Sequence, residues 1–211
     1  MDSQPTIDEL VIADEPEAWR ALGFAVDRDG SEVGSVRLHF EGPGARRGIV
    51  RWYVRDAGSL ELDGLETHAS ERPPVAGAEH VNGVVSIDHV VVLTPDLDRT
   101  AETLRGAGFD FRRLREGRTP GGSVRQAFFR MGDVILELVL APEGTSVARN
   151  PDGPARLWGI SFLVGDMEQT AEVLGERLGT PRDAVQPGRR IATLRPDAGL
   201  GPAVAFMTAA P

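Results

Sequence analysis

The stretch 86–108, SIDHVVVLTPDLDRTAETLRGAG, and its partial copies set the tightest limit on what this chain can fold into. TAE-x-L at 100–104 returns at 170–174, and the same offset of 70 positions lays HVVVLTPDLD from His89 on GISFLVGDME from Gly159. A strand, a turn and a helix repeated together mark a duplicated structural unit. Within the first copy, side-chain alternation puts Ile87, His89, Val91 and Leu93 on one face of a strand, with Val90 and Val92 on the other. Thr94 reads as a helix N-cap with Pro95 at the first helical position, and Leu97, Ala101 and Leu104 recur at i, i+4 and i+7 as one apolar stripe. The helix is expected to pack on the Val90/Val92 face, leaving His89 on the opposite one.

A second repeat brings in the N-terminal region. GSVR occurs at 34–37 and at 122–125, each after a helix end and a strand, with WRALGF closing at Phe24 and LRGAGF at Phe109. The reading is three βαβββ units, residues 1–65, 84–141 and 157–211, each of about 50 to 60 residues. Residues 66–83 are polar, contain Pro73 and Pro74 and read as a linker. Residues 142–156 are a loop rich in Gly, Pro and Asn. The expected class is α+β.

Composition removes several functions. The chain has no cysteine, so a thiol nucleophile, a disulfide and a thiolate metal site are excluded, and a metal would need His and carboxylate ligands. A net charge of −9 repels a phosphate backbone, which argues against nucleic-acid partners. All 23 basic residues are arginine. No apolar run approaches the roughly 20 residues of a membrane helix, and the acidic start MDSQPTIDEL is unlike a signal peptide, so a cytoplasmic protein without membrane association is expected. Walker, G-x-G-x-x-G and G-x-S-x-G signatures are absent.

Tandem βαβββ units with an Asp-His-Val strand start, a PDLDRTAETL-type helix entry and a Glu in the last strand resemble the glyoxalase and bleomycin-resistance (vicinal oxygen chelate) superfamily. The resemblance is good over 84–208 and weaker over 6–65. It implies that the second and third units pair into an eight-stranded cup with helices outside, and that metal enzymes of the family place ligands on the first and last strands of each unit. His89 then matches the first-strand ligand of the middle unit and Glu137 its last-strand ligand. Alignment of the other units sets Gly159 at the His89 position, with Phe206 (LELVLAP on AFMTAAP) and Tyr53 (Gly48 on Gly132) at the Glu137 position. Two ligands are fewer than the about three protein ligands of a catalytic divalent ion, unless His68, His80 or a second chain contributes.

The candidate site residues follow. His89 and Glu137 are the catalytic candidates and the metal candidates for a divalent ion such as Zn, Ni, Mn, Fe or Mg; no cofactor is otherwise indicated. The plain alternative for His89 is a half-buried imidazole bonded to Asp88 or Glu137. Glu137 would be costly to bury without a partner. A two-residue turn at Gly132 and Asp133 would set Glu137 opposite Phe128 and Val139 opposite Gln126, making Gln126, Phe128 and Arg130 candidate ligand-binding residues. Arg190, with Arg189, could hold an anionic group, or both could lie at a solvated strand end. The first reading is a protein binding a small organic molecule in its cup, metal-free or metal-degenerate. The alternatives are a metal-assisted isomerase or lyase using His89 and Glu137, and a structural module. The N-terminal unit should meet its own copy in a homodimer or pack on the outside of the cup.

Overall fold

The computed structural model describes residues 4–73, 75–119 and 122–210, so Pro74 lies outside the described residues. The first unit runs β1 (Thr6–Ile12), α1 (Pro16–Arg20), β2 (Gly30–Val33), β3 (Val36–Phe40), β4 (Ile49–Arg55) and β5 (Thr67–Ala69). The second runs β6 (Val84–Thr94), α2 (Leu97–Gly106), β7 (Asp110–Thr119), β8 (Gly122–Met131) and β9 (Val134–Leu140). The third runs β10 (Arg156–Val164), α3 (Met167–Leu174), β11 (Arg182–Asp183), β12 (Arg190–Thr193) and β13 (Ala203–Thr208). The fold is α+β, and no helix among the described residues is long and apolar enough to cross a membrane.

The second and third units share an eight-stranded sheet, in order β11-β12-β13-β10-β6-β9-β8-β7. At its centre β6 and β10 are antiparallel, and each is flanked by the last strand of its own unit in parallel, β9 beside β6 and β13 beside β10. This pseudo-twofold arrangement of the two copies is the eight-stranded pairing that the family resemblance implies. The first unit forms a separate five-stranded sheet, β2-β3-β1-β4-β5, with the same centre: β1 antiparallel to β4, β3 parallel to β1 and β5 parallel to β4. The strand parallel to β1 is therefore β3. Pairing of Glu9 with Arg37 repeats that of Val91 with Glu137, so Arg37 rather than Tyr53 occupies the Glu137 position.

Two bulges decide which side chains face the cup. β10 pairs with β6 through Ser161–His89 and then Phe162–Ile87, which leaves Asp88 as an extra residue. A bulge turns two consecutive side chains toward one side. Hence Ile87 joins the buried core with Val90 and Val92, while Asp88 and His89 both stand clear of it, and the expected Ile87–His89 face is corrected. Trp158 is the matching extra residue of β10, seventy positions on.

Helix α2 follows the expected stripe, with Leu97, Ala101 and Leu104 buried. The N-cap is Asp96, whose carboxylate accepts from Arg99 N at 3.0 Å, and not Thr94. Thr94 remains in the β6 ladder opposite Leu140, and its hydroxyl bonds Thr100 Oγ1 at 2.6 Å. Asp166 caps α3 in the same way.

One continuous apolar core joins both sheets. Trp19 and Phe24 meet Phe162 of β10 at ring distances of 6.2 and 5.0 Å, and Trp52 meets Phe109 at 6.3 Å. The first unit thus packs on the outside of the cup. The face that suggested a homodimer is covered within a single chain. Polar clamps lock the contact: Asp14 accepts from Trp19 Nε1 and Gly201 N, and Arg99 Nε donates to Asp63 at 2.9 Å.

The 66–83 segment is not a free linker. It supplies β5, its Ala78 N donates to Glu32 O, and Asn82 donates to Leu22 O and accepts from Thr170. The Asn82 and His80 side chains satisfy Leu22 O and Ala25 N in the turn after α1, which would otherwise lack partners.

Candidate functional site

The concave face of the eight-stranded sheet holds a cavity of about 380 Å³. Val91, Leu93 and Val139 line it from the second unit, Gly159, Ser161, Ala203 and Ala205 from the third, together with Trp158 and Pro142. Into this largely apolar space project His89, Gln126 and Glu137.

The β8–β9 hairpin has the expected register. Gly132 takes φ +65° in the turn, Phe128 pairs with Glu137 and Gln126 with Val139. Gln126 Nε2 donates to Glu137 Oε1, and the other carboxylate oxygen lies 3.4 Å from His89 Nε2. On the far side of the imidazole, Nδ1 is 2.8 Å from Asp88 Oδ2, and Asp88 in turn accepts from Arg189. A chain Arg189–Asp88–His89–Glu137–Gln126 therefore runs across three strands and one loop. A carboxylate on Nδ1 fixes the tautomer and aims Nε2 at Glu137.

The two carboxyl groups are pushed in opposite directions. Burial raises the Glu137 pKa above 4.5, and the charges of His89 and Arg115 do not offset it. Burial also works to raise Asp88, but its bonds to His89 and Arg189 outweigh that and leave it below 3.8. Groups pushed apart in this way suit proton transfer. Two further cup atoms, Gln126 Oε1 and Ser161 Oγ, are buried without a hydrogen-bond partner among the described residues.

Of the other expected residues, Phe128 shares the face of Glu137 but is covered by the Arg113 guanidinium, 4.7 Å above its ring. Arg130 bends to Gly132 O at 2.9 Å, and Arg190 pairs with Glu168, so neither reaches the cavity. Both find partners beside their own strand ends. Arg189, with a side chain only 13% exposed, is the inward one, and its Nε donates to Thr208 O at 2.7 Å. Sequence reasoning offered Asp88 as a partner of His89, as found, but not its inward placing or its bond to Arg189, and it missed Ser161. The signal for Asp88 was a second polar residue beside His89, which breaks the strand alternation.

A sequence model of the Glyoxalase/Bleomycin resistance protein/Dioxygenase superfamily matches residues 88–193, half of the chain. The chain belongs to this superfamily. No curated protein matches it. Among solved structures, methylmalonyl-CoA epimerase from Mycobacterium tuberculosis is 22% identical, with 61% of this chain and 91% of that one covered and a TM-score of 0.50. A variant of the Streptomyces coelicolor epimerase in complex with 2-nitronate-propionyl-CoA is 26% identical over 60% and 96%, TM-score 0.49. A hypothetical protein from Bacillus halodurans is 18% identical over 60% and 95%, TM-score 0.48. The likeness is one of fold.

The superfamily's metal set does not fit this cup. Parallel pairing aligns Gly159 and Ala205 with His89 and Glu137, so Ala205, not Phe206, holds the last-strand position; Phe206 points into the core. The gap-free alignment is one residue out because β13 closes on β10 at Thr208 as β9 closes on β6 at Leu140. Gly159 has no room for a ligand either, since a Cβ there would lie 2.8 Å from Ala203 O. His80 is engaged by Ala25 N and Glu32 O, and His68 stacks on Tyr53. Among the described residues no three His, Asp or Glu side chains are arranged to hold a metal ion.

Proposed function

We propose that this protein binds a small organic molecule in the cup and that Glu137 and His89 exchange a proton with it, as in an isomerase. The observation that carries this reading is a desolvated carboxyl group 3.4 Å from an oriented imidazole, inside an otherwise apolar cavity. A carboxyl group whose pKa is raised toward neutrality is both a better base when ionised and an available acid. Glu137 takes the proton from an acidic position of the ligand, and His89, held by Asp88, delivers one back to the resulting anion. The unpartnered Gln126 Oε1 and Ser161 Oγ offer the polar contacts that would orient the molecule.

A second reading, binding without turnover, shares the same cup. One experiment separates them: a ligand found by thermal-shift screening is held in D2O with the protein and followed by NMR. Deuterium entering with wild type, and at least about a hundredfold more slowly with Glu137→Gln, supports proton transfer. Binding without exchange leaves a binding protein of the bleomycin-resistance kind. Failure of every screened compound to bind, with a cup mutation such as Ala205→Trp changing nothing, would overturn both.

A further inference from the structure

The two halves of the cup are joined by a long connection whose bonds are unevenly spread. β9 ends at Leu140 and β10 begins at Arg156. Ala141 N donates to Thr94 O at 2.8 Å, which ties the near end to β6. Beyond it, the N–H groups of Thr145, Arg149, Asn150 and Gly153 donate to Pro142, Thr145, Val147 and Asn150 O, all inside the connection. Among the described residues, 142–150 make no hydrogen bond to any part of the chain outside it. Yet Pro142 and Thr145 line the cup. A segment held only by its own turns opens at low cost unless its ends are fixed.

The far end is fixed by the N-terminal unit. Arg99 of α2 donates through Nη1 to Pro151 O at 3.2 Å and through Nη2 to Gly153 O at 2.6 Å. The same guanidinium is held by Asp63, Nε to Oδ1 at 2.9 Å and Nη2 to Oδ2 at 3.2 Å, the two-bond fork of a strong ion pair. Asp63 O accepts from Ala155 N at 2.9 Å. Asp63 stands in the turn before β5 with φ +48°, a conformation that Asp tolerates better than most residues. Gly64 presses on the same end of the connection, since a Cβ there would lie 2.3 Å from Pro154 Cβ. We infer that residues 142–150 are a flap over the cup and that Asp63 with Arg99 is its latch, so that the N-terminal unit governs entry to the cavity. The inference needs only the cavity and holds for either reading of what the cup does.

Hydrogen exchange of the full chain, read by mass spectrometry, tests the latch. In Arg99→Gln and in Asp63→Asn, the amides of Thr145, Arg149, Asn150, Gly153 and Ala155 should exchange at least about tenfold faster than in wild type, while β13 keeps its wild-type rate. Arg99→Lys should restore part of the protection. Asp166→Ala, which removes the cap of α3 and touches nothing in the connection, is the control and should leave these amides unchanged. Entry to the cup is read by acrylamide quenching of tryptophan fluorescence, because Trp19 and Trp52 are fully buried and Trp158, 49% exposed, lines the cavity. Quenching should rise in both latch variants and not in Asp166→Ala. Amides that are unprotected in wild type, or unchanged in both latch variants, overturn the inference. Acceleration that spreads equally to β13 overturns it as well, since the pair would then hold the fold and not the flap. So does faster exchange with unaltered quenching, which would leave a latched connection that guards nothing.

Discussion

At the scale of single residues, the cup is governed by one carboxyl group that is expensive to ionise. The folded-state pKa of Glu137 lies above its unfolded value of 4.5, so its contribution to stability is complete below pH 4.5 and is lost as pH rises through the folded value. Glu137→Gln should therefore melt higher than wild type at pH 8, with the two curves converging near pH 4; scanning calorimetry over that range checks it. His80 acts in the opposite sense. Burial holds its imidazole below 6.5, and Nδ1, which accepts from Ala25 N at 3.0 Å, has to stay unprotonated for that bond to survive. Its contribution is present above pH 6.5 and is lost as pH falls. The melting temperature of wild type should drop between pH 7.5 and 5.5, and His80→Gln should flatten that drop.

At the scale of elements, the caps and bulges carry information that periodicity does not. Asp96→Ala removes the side-chain bond to the first turn of α2 and should cost about 1 kcal/mol, a fall of about 2–4 °C in melting temperature for a chain of this size. The α2 stripe, the strand faces of β8 and β9 and the duplication of the second unit in the third were legible because each rests on a local pattern: Leu97–Ala101–Leu104 for α2, alternation around Glu137 for β9, and the 70-residue offset for the repeat; the pairing of the two units came from the family resemblance. The turn of Asp88 to the side of His89 was not, although the bond between them was foreseen, because a bulge is set by the partner strand and leaves no period of its own. The step between Phe206 and Ala205 was hidden for a similar reason, since register belongs to the pair β10–β13 and not to either sequence. Gln126 stood out among the polar residues of its strand by its place opposite Val139, whereas Arg130 and Arg190 met partners outside the cavity that no linear pattern announces.

At the scale of the whole molecule, the N-terminal sheet and the cup are one body. Phe162 touches Trp19 and Phe24 across the junction and Phe206 within its own sheet. Phe162→Ala should cost about 3–5 kcal/mol and lower a single calorimetric transition; a split into two transitions would show the sheets unfolding separately. The duplicated halves of the cup have also parted company: one carries Asp88, His89 and Glu137, and the other carries Trp158, Gly159 and Ala205 at the matching places. With titratable groups on one side only, a molecule lying between the halves is approached by acid and base from a single direction. The two hydrogens of a bound methylene group are then not equivalent to this protein. Exchange into D2O should label one of them and spare its mirror partner, giving a product of one handedness.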